Sequence, residues 1–213
     1  GAIAVEADRI VDIGTSDEIL ARHQAPTVIQ ADRKAVMPGF VDAHAHAGHG
    51  IIKALGGNNS DDWHKACELA YSLGSTEDFW YAEGQLAALE RVRFGVTSGI
   101  SLLGGGDAIM RTDSPVYADA HCAAVKDIGS RSIVAVGPTR PPHPRLYASW
   151  QGMQRSDYFV EFDQQLASCG AIINKWHQSH NLRINVAMLT ATLRAEHRQS
   201  LSGADFKKAE SQA

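Results

Sequence analysis

Pro38-Gly39-Phe40-Val41-Asp42-Ala43-His44-Ala45-His46 is the stretch whose reading decides the fold. The Pro-Gly pair is a turn signal, and the residues after it alternate polar with small apolar, so 40–46 reads as a strand entered from a turn. On a strand, alternate side chains share a face. Asp42, His44 and His46 therefore point one way. Val41, Ala43 and Ala45 point the other, as suits packing against helices. Two imidazoles two residues apart on one face can approach a single borderline metal such as zinc, each at about 2.0–2.1 Å. The spacing alone is weak, because 10 His among 213 residues produce about 0.5 such pairs by chance.

Upstream of this strand, period-2 alternation predicts a hairpin of strands 2–6 and 9–14 joined at Ala7-Asp8. Ser16, followed by Asp17 and Glu18, reads as the N-cap of a short helix that Pro26 must end. Two more short strands are expected at 27–30 and 35–37. Downstream, strands alternate with long helices, the pattern of βα units on a parallel sheet. A Gly/Asn/Asp-rich loop at 55–62 leads to a helix near 63–73. Ser75 with Asp78 then suggests the cap of a longer helix that buries Phe79, Leu86, Leu89 and Val92 and ends at Gly95. A strand at 96–101 and the loop Gly104-Gly105-Gly106-Asp107 follow. Ser114 and Pro115 open a helix that Gly129 ends. A strand at 132–136, a Pro-rich loop at 137–144, a helix over 158–180 and a strand at 183–189 complete the regular part. The expected division is a small β-domain at 1–37, a βα region of about four units at 38–190 and a polar tail at 191–213.

Hydrophobic residues make up 44% and charged residues 21%, with a formal net charge of −4, which excludes a disordered chain and gives no basic footprint for nucleic acid or an anionic membrane. No apolar run approaches the ~18–20 residues of a spanning helix. The N-terminus lacks the basic and apolar regions of a signal peptide, so a cytoplasmic protein is expected. Cys67, Cys122 and Cys169 are odd in number and never in CxxC, and read as buried apolar residues.

The segment MPGFVDAHAH at 37–46 resembles the opening of the amidohydrolase superfamily, which carries PGFVDxHxH after a small β-domain. The passage from His49 to Leu55 with Asp61-Asp62-Trp63, and that from Leu89 to Ser98, are similar to its chlorohydrolase and aminohydrolase branch; the likeness runs to about residue 190. The resemblance implies a TIM-like (β/α)8 barrel, apparently incomplete, beside a partial β-sandwich domain. It also implies a deaminase-like, metal-dependent hydrolase of carbon-nitrogen or carbon-halogen bonds in a small, cyclic molecule. Such a metal ion lowers the pKa of a water toward about 7. His44 and His46 match two metal ligands of that family, for one divalent ion, zinc by preference over iron or manganese. The fourth strand holds no Lys, which favours a mononuclear site. The family's later ligands and its acid/base groups have no match here, so the catalytic residues are not assigned. The alternative is a non-catalytic fragment, or a half-barrel that must pair with another chain, since an open sheet leaves unpaired edges. A homo-oligomer is expected on the same ground.

His49, Trp63 and His143 are candidate substrate contacts, each with a plain alternative: an exposed loop histidine, a packed helix residue, and a histidine of the Pro-rich loop. Asp42 reads as a hydrogen-bonded structural carboxylate and Glu90 as an ion-pair partner. His177 and His180 suit a helix C-terminus.

Overall fold

The fold is known from a computed structural model, which describes residues 1–104, 111–190 and 202–212. The chain divides into two compact units, Gly1–Pro38 and Gly39–Ala213.

In the first unit, β1 (Ala2–Glu6) and β2 (Arg9–Gly14) pair antiparallel, with a bulge between Ala4 and Val5. Helix α1 (Ser16–Arg22) follows, but its cap is Thr15 rather than Ser16. The Thr15 hydroxyl accepts from the Glu18 N–H, and the Glu18 carboxylate accepts from the Thr15 N–H, a reciprocal capping box. Asp12 accepts hydrogen bonds from the rings and heads of its neighbours, His23 Nε2 at 2.7 Å and Arg22 Nε at 3.0 Å. The strands expected at 27–30 and 35–37 are absent; those residues run without ladder partners. Alternation marks a strand only where a partner strand lies beside it.

The second unit is mixed α/β around a four-stranded parallel sheet: β3 (Phe40–Asp42), β4 (Val96–Leu102), β5 (Arg131–Val136) and β8 (Ile184–Met188), neighbours in that order. The first strand is shorter than the pattern suggests. Regular pairing stops at Asp42, and His46 rejoins through a single bridge to Leu102. Val41 is 70% exposed, so the face expected to pack on helices is open among the described residues. Between β3 and β4 lie α2 (His49–Ile52), α3 (Ser60–Glu68), a π-helical turn at Leu69–Gly74 and α4 (Glu77–Arg93). Helix α5 (Pro115–Ile128) has Ser114 at its N-cap and Gly129 in the left-handed region at its end, as expected.

Three expectations fail in instructive ways. Helix α4 is capped by Thr76, whose hydroxyl accepts from the Phe79 N–H; the Ser75 hydroxyl instead donates to the Tyr71 carbonyl and accepts from the Trp80 indole. The same helix buries Trp80, Glu83, Gly84 and Ala88, whereas Leu89 and Val92 are half exposed. Small residues at that spacing let α5 approach closely, which long apolar side chains would prevent. The helix predicted over 158–180 is also wrong at its start. An antiparallel hairpin, β6 (Arg145–Gln151) and β7 (Gln154–Val160), fills the span, and α6 (Phe162–Trp176) begins after it. Arg111 is fully buried and anchors this hairpin, donating to the Ala148 carbonyl at 2.6 Å and the Tyr158 hydroxyl at 3.0 Å while pairing with Asp113. An irregular turn α7 (Ser179–Leu182) precedes β8, and a helix α8 (Gly203–Gln212) lies in the polar C-terminal stretch.

Tyr71, Trp80, Leu103, Cys122, Val134, Val136, Cys169, Ile172 and Ile184 lie in the core between sheet and helices. All three cysteines are buried free thiols there, and burial pushes the Cys122 and Cys169 thiols up to about 12. No helix among the described residues is long and apolar enough to cross a membrane. Of the loop Gly104-Gly105-Gly106-Asp107, residues 105–107 lie outside the described residues, as does the stretch from 191 to 201.

Candidate metal centre

The carboxyl ends of parallel strands are where α/β proteins place their sites, because the loops there converge while helices cover the flanks. His44 and His46 lie just past the carboxyl end of β3. Their ring centroids are 5.3 Å apart and the planes are inclined at 70°. Two imidazoles binding one tetrahedral ion at about 2.0–2.1 Å would set their centroids about 5 Å apart. The centroid spacing of the pair matches that of two rings on one ion, and His44 is exposed. Among the described residues, no group of three or more His, Cys, Asp and Glu side chains is placed to hold a metal.

Asp42 fixes the start of this loop. Its Oδ1 accepts from the His44 N–H at 3.2 Å, and its Oδ2 accepts from Arg91 Nε at 3.0 Å. Arg91 also donates to Ser101 Oγ at 3.0 Å and the Ile100 carbonyl at 2.7 Å, so one guanidinium ties α4, β3 and β4 together. The carboxylate is thus engaged by an ion pair with Arg91.

His49 stacks on His46, with centroids 4.4 Å apart and planes only 13° from parallel. Parallel stacked rings cannot aim their lone pairs at one ion, so His49 presents a face rather than a ligand nitrogen. Trp63 meets His49 edge-on at 5.1 Å, and Tyr71 lies behind it at 6.2 Å. Three of the residues singled out from sequence, His46, His49 and Trp63, thus form one aromatic wall. A Cβ on Gly48 would come within 2.4 Å of the Tyr71 ring, so only glycine lets the loop settle against it. Burial holds the His46 imidazole below its usual pKa, helped by the neighbouring His44, and holds His49 at about 4, helped by His46. Both rings are neutral at neutral pH, the form in which imidazole can bind a metal or stack on a planar group.

Glu83 was not singled out from sequence, yet it stands beneath this loop. It is fully buried, and its two carboxylate oxygens accept the N–H groups of Gly50 and Ile51, each at 2.6 Å. Hydrogen bonds to a charged acceptor contribute about 1.5–3 kcal/mol each. Burial raises the Glu83 carboxyl above its usual pKa, and the two N–H donors oppose that rise. The only sequence signal was a charged residue on the face of α4 shared by Trp80 and Gly84.

The remaining candidates sit elsewhere. His143 shares a hydrogen bond through Nε2 with the Thr139 carbonyl at 2.9 Å and lies edge-on to Phe162. Glu90 pairs with Lys53 at 2.7 Å. His177 Nδ1 accepts the Val186 N–H, and His180 lies against Trp176.

The family model for the bacterial imidazolonepropionase-like composite domain matches residues 1–23. The chain is 29% identical over 140 residues to the 5-methylthioadenosine/S-adenosylhomocysteine deaminase of Thermodesulfovibrio yellowstonii, covering 64% of this chain and 29% of the relative. It is 33% identical over 138 residues to the protein of that name from Symbiobacterium thermophilum, covering 64% and 29%. The 5'-deoxyadenosine deaminase of Methanobrevibacter smithii is 25% identical over 138 residues, covering 64% and 28%. Among solved structures, atrazine chlorohydrolase TrzN from Arthrobacter aurescens TC1 complexed with zinc shares the fold with a TM-score of 0.52 at 19% identity, over 73% of this chain and 35% of that one. The chain spans under a third of the length of the curated relatives it matches. The sequence likenesses are thus to deaminases over 64% of this chain, and the likeness to the chlorohydrolase is one of fold.

Proposed function

We propose that this chain carries the first two metal ligands, His44 and His46, of a mononuclear hydrolase that removes an amino group from a small planar heterocycle. The 5.3 Å spacing of the two rings at the carboxyl end of β3 carries the reading, because it suits one tetrahedral ion. The four parallel strands would then be the first half of a (β/α)8 barrel, with Gly1–Pro38 as part of a β-sandwich. The deaminase relatives support hydrolysis of a carbon-nitrogen bond.

A divalent ion held there supplies Lewis acidity, lowering the pKa of a water toward about 7. The protein's part is orientation. His44 and His46 offer ring nitrogens from one loop, and Asp42 fixes that loop to Arg91. His49 and Trp63, which meet edge-on, are the contacts proposed for a planar, purine-like ring. His143, on the loop after β5, is the third contact proposed for substrate.

The test is zinc titration of the metal-free chain by calorimetry, followed by ammonia release from adenosine-type nucleosides. One zinc per chain is expected, and His44→Ala or His46→Ala should weaken it at least 100-fold. Zinc binding unchanged in both variants would overturn the assignment of the ligands.

A further inference from the structure

The geometry points to Glu83 as a positioning residue of the metal centre: from α4 it clamps the backbone behind His49 and so sets the stacked His46–His49 pair. The inference rests on His44 and His46 as metal ligands but adds a residue that touches neither ring.

Helix α2 is a single turn of four residues, and its N-cap is Gly48, which has no side chain to satisfy the free N–H groups. So short a helix does not hold itself together in water. The missing cap comes from across the fold, 33 residues on in sequence, where Glu83 takes the N–H of Gly50 with one oxygen and that of Ile51 with the other. Gly50 is the residue directly after His49, so the clamp fixes the peptide from which the His49 ring departs. That ring in turn lies flat on His46 at 4.4 Å. Among the described residues no cation forms an ion pair with Glu83 in return. Lys53, the nearest ammonium on that turn, pairs with Glu90 instead. A buried carboxylate that spends both oxygens on one backbone turn, without a cation, defines direction more than it adds binding energy.

The replacement of choice is Glu83→Gln, which keeps the shape but exchanges one acceptor for a donor aimed at an N–H. Two measurements are made on the metal-free full chain and its variant: histidine ring resonances by NMR, which report the His46–His49 stacking, and zinc affinity by calorimetry with zinc alone. Expected are a loss of the ring-current shifts of both histidines and a zinc affinity about tenfold weaker, in a protein whose circular dichroism is unchanged. If Glu83→Gln does not fold, Gly50→Ala tests the same contact, since its Cβ would come within 2.7 Å of the Glu83 carboxylate. A folded variant with unmoved ring resonances and unmoved zinc affinity overturns the role of Glu83. Should the parent chain bind no zinc while the ring resonances still move in Glu83→Gln, the positioning role stands and the ligand assignment alone falls.

Discussion

Arg91 shows how much one side chain can hold. Its guanidinium serves Asp42, Ser101 and the Ile100 carbonyl at once, which a lysine ammonium on a flexible stem cannot do. Replacing Arg91 by Met leaves Asp42 without its cation and should lower stability by about 1–3 kcal/mol in urea denaturation. Arg91→Lys should recover less than half of that. Asp42 and Glu90 were readable from sequence as structural carboxylates because strand alternation and helix position limit what such groups can reach. Glu83 was not readable, because its partners are backbone N–H groups 32 and 33 residues away. Nothing in the sequence around Glu83 announces them.

Helix α4 depends on two features that periodicity misjudged. Its cap is Thr76, so Thr76→Ala should cost about 1 kcal/mol by chemical denaturation through the loss of that cap. Its seam with α5 depends on Gly84, where a Cβ would stand 2.9 Å from the Ala124 methyl and 3.1 Å from the His121 ring. Gly84→Val should force the two helices apart, at about 1–3 kcal/mol, and lower the melting temperature accordingly. Leu89 and Val92 were expected on the buried face of α4 and are half exposed, while Gly84 is buried against α5. A pattern of hydrophobicity reports how apolar a face is, and close approach of backbones requires small volume as well. The hairpin of β6 and β7 was missed for a related reason: its polar residues alternate weakly, and Arg111, a remote buried group, holds it in place.

In the βα unit as a whole, acid sensitivity should trace in large part to His121, beside the depressed His49. This ring is wholly buried on α5, neither of its nitrogens has a hydrogen-bond partner among the described residues, and burial, aided by the Arg91 charge, holds its pKa at about 4. The unfolded chain takes up the same proton near pH 6.5. Below about pH 6.5 the unfolded state therefore binds more protons, and stability falls as pH drops toward 4, by about 3 kcal/mol from this group. Melting temperatures measured from pH 7 to pH 4 should show the fall, and His121→Leu should make it shallower. An unchanged slope in that variant would assign the sensitivity to other groups. The sequence by itself determined the parallel βα order, the turn into β3, the caps at Ser114 and Gly129, the buried cysteines, and the histidine pair, because each is written in residues that are neighbours in the chain. Only the tertiary structure decided where β3 stops pairing, which face of α4 is buried, that a hairpin precedes α6, and that Glu83 holds the loop of His49. Those outcomes depend on which distant backbone or side chain fills the space opposite, and no local pattern specifies that partner.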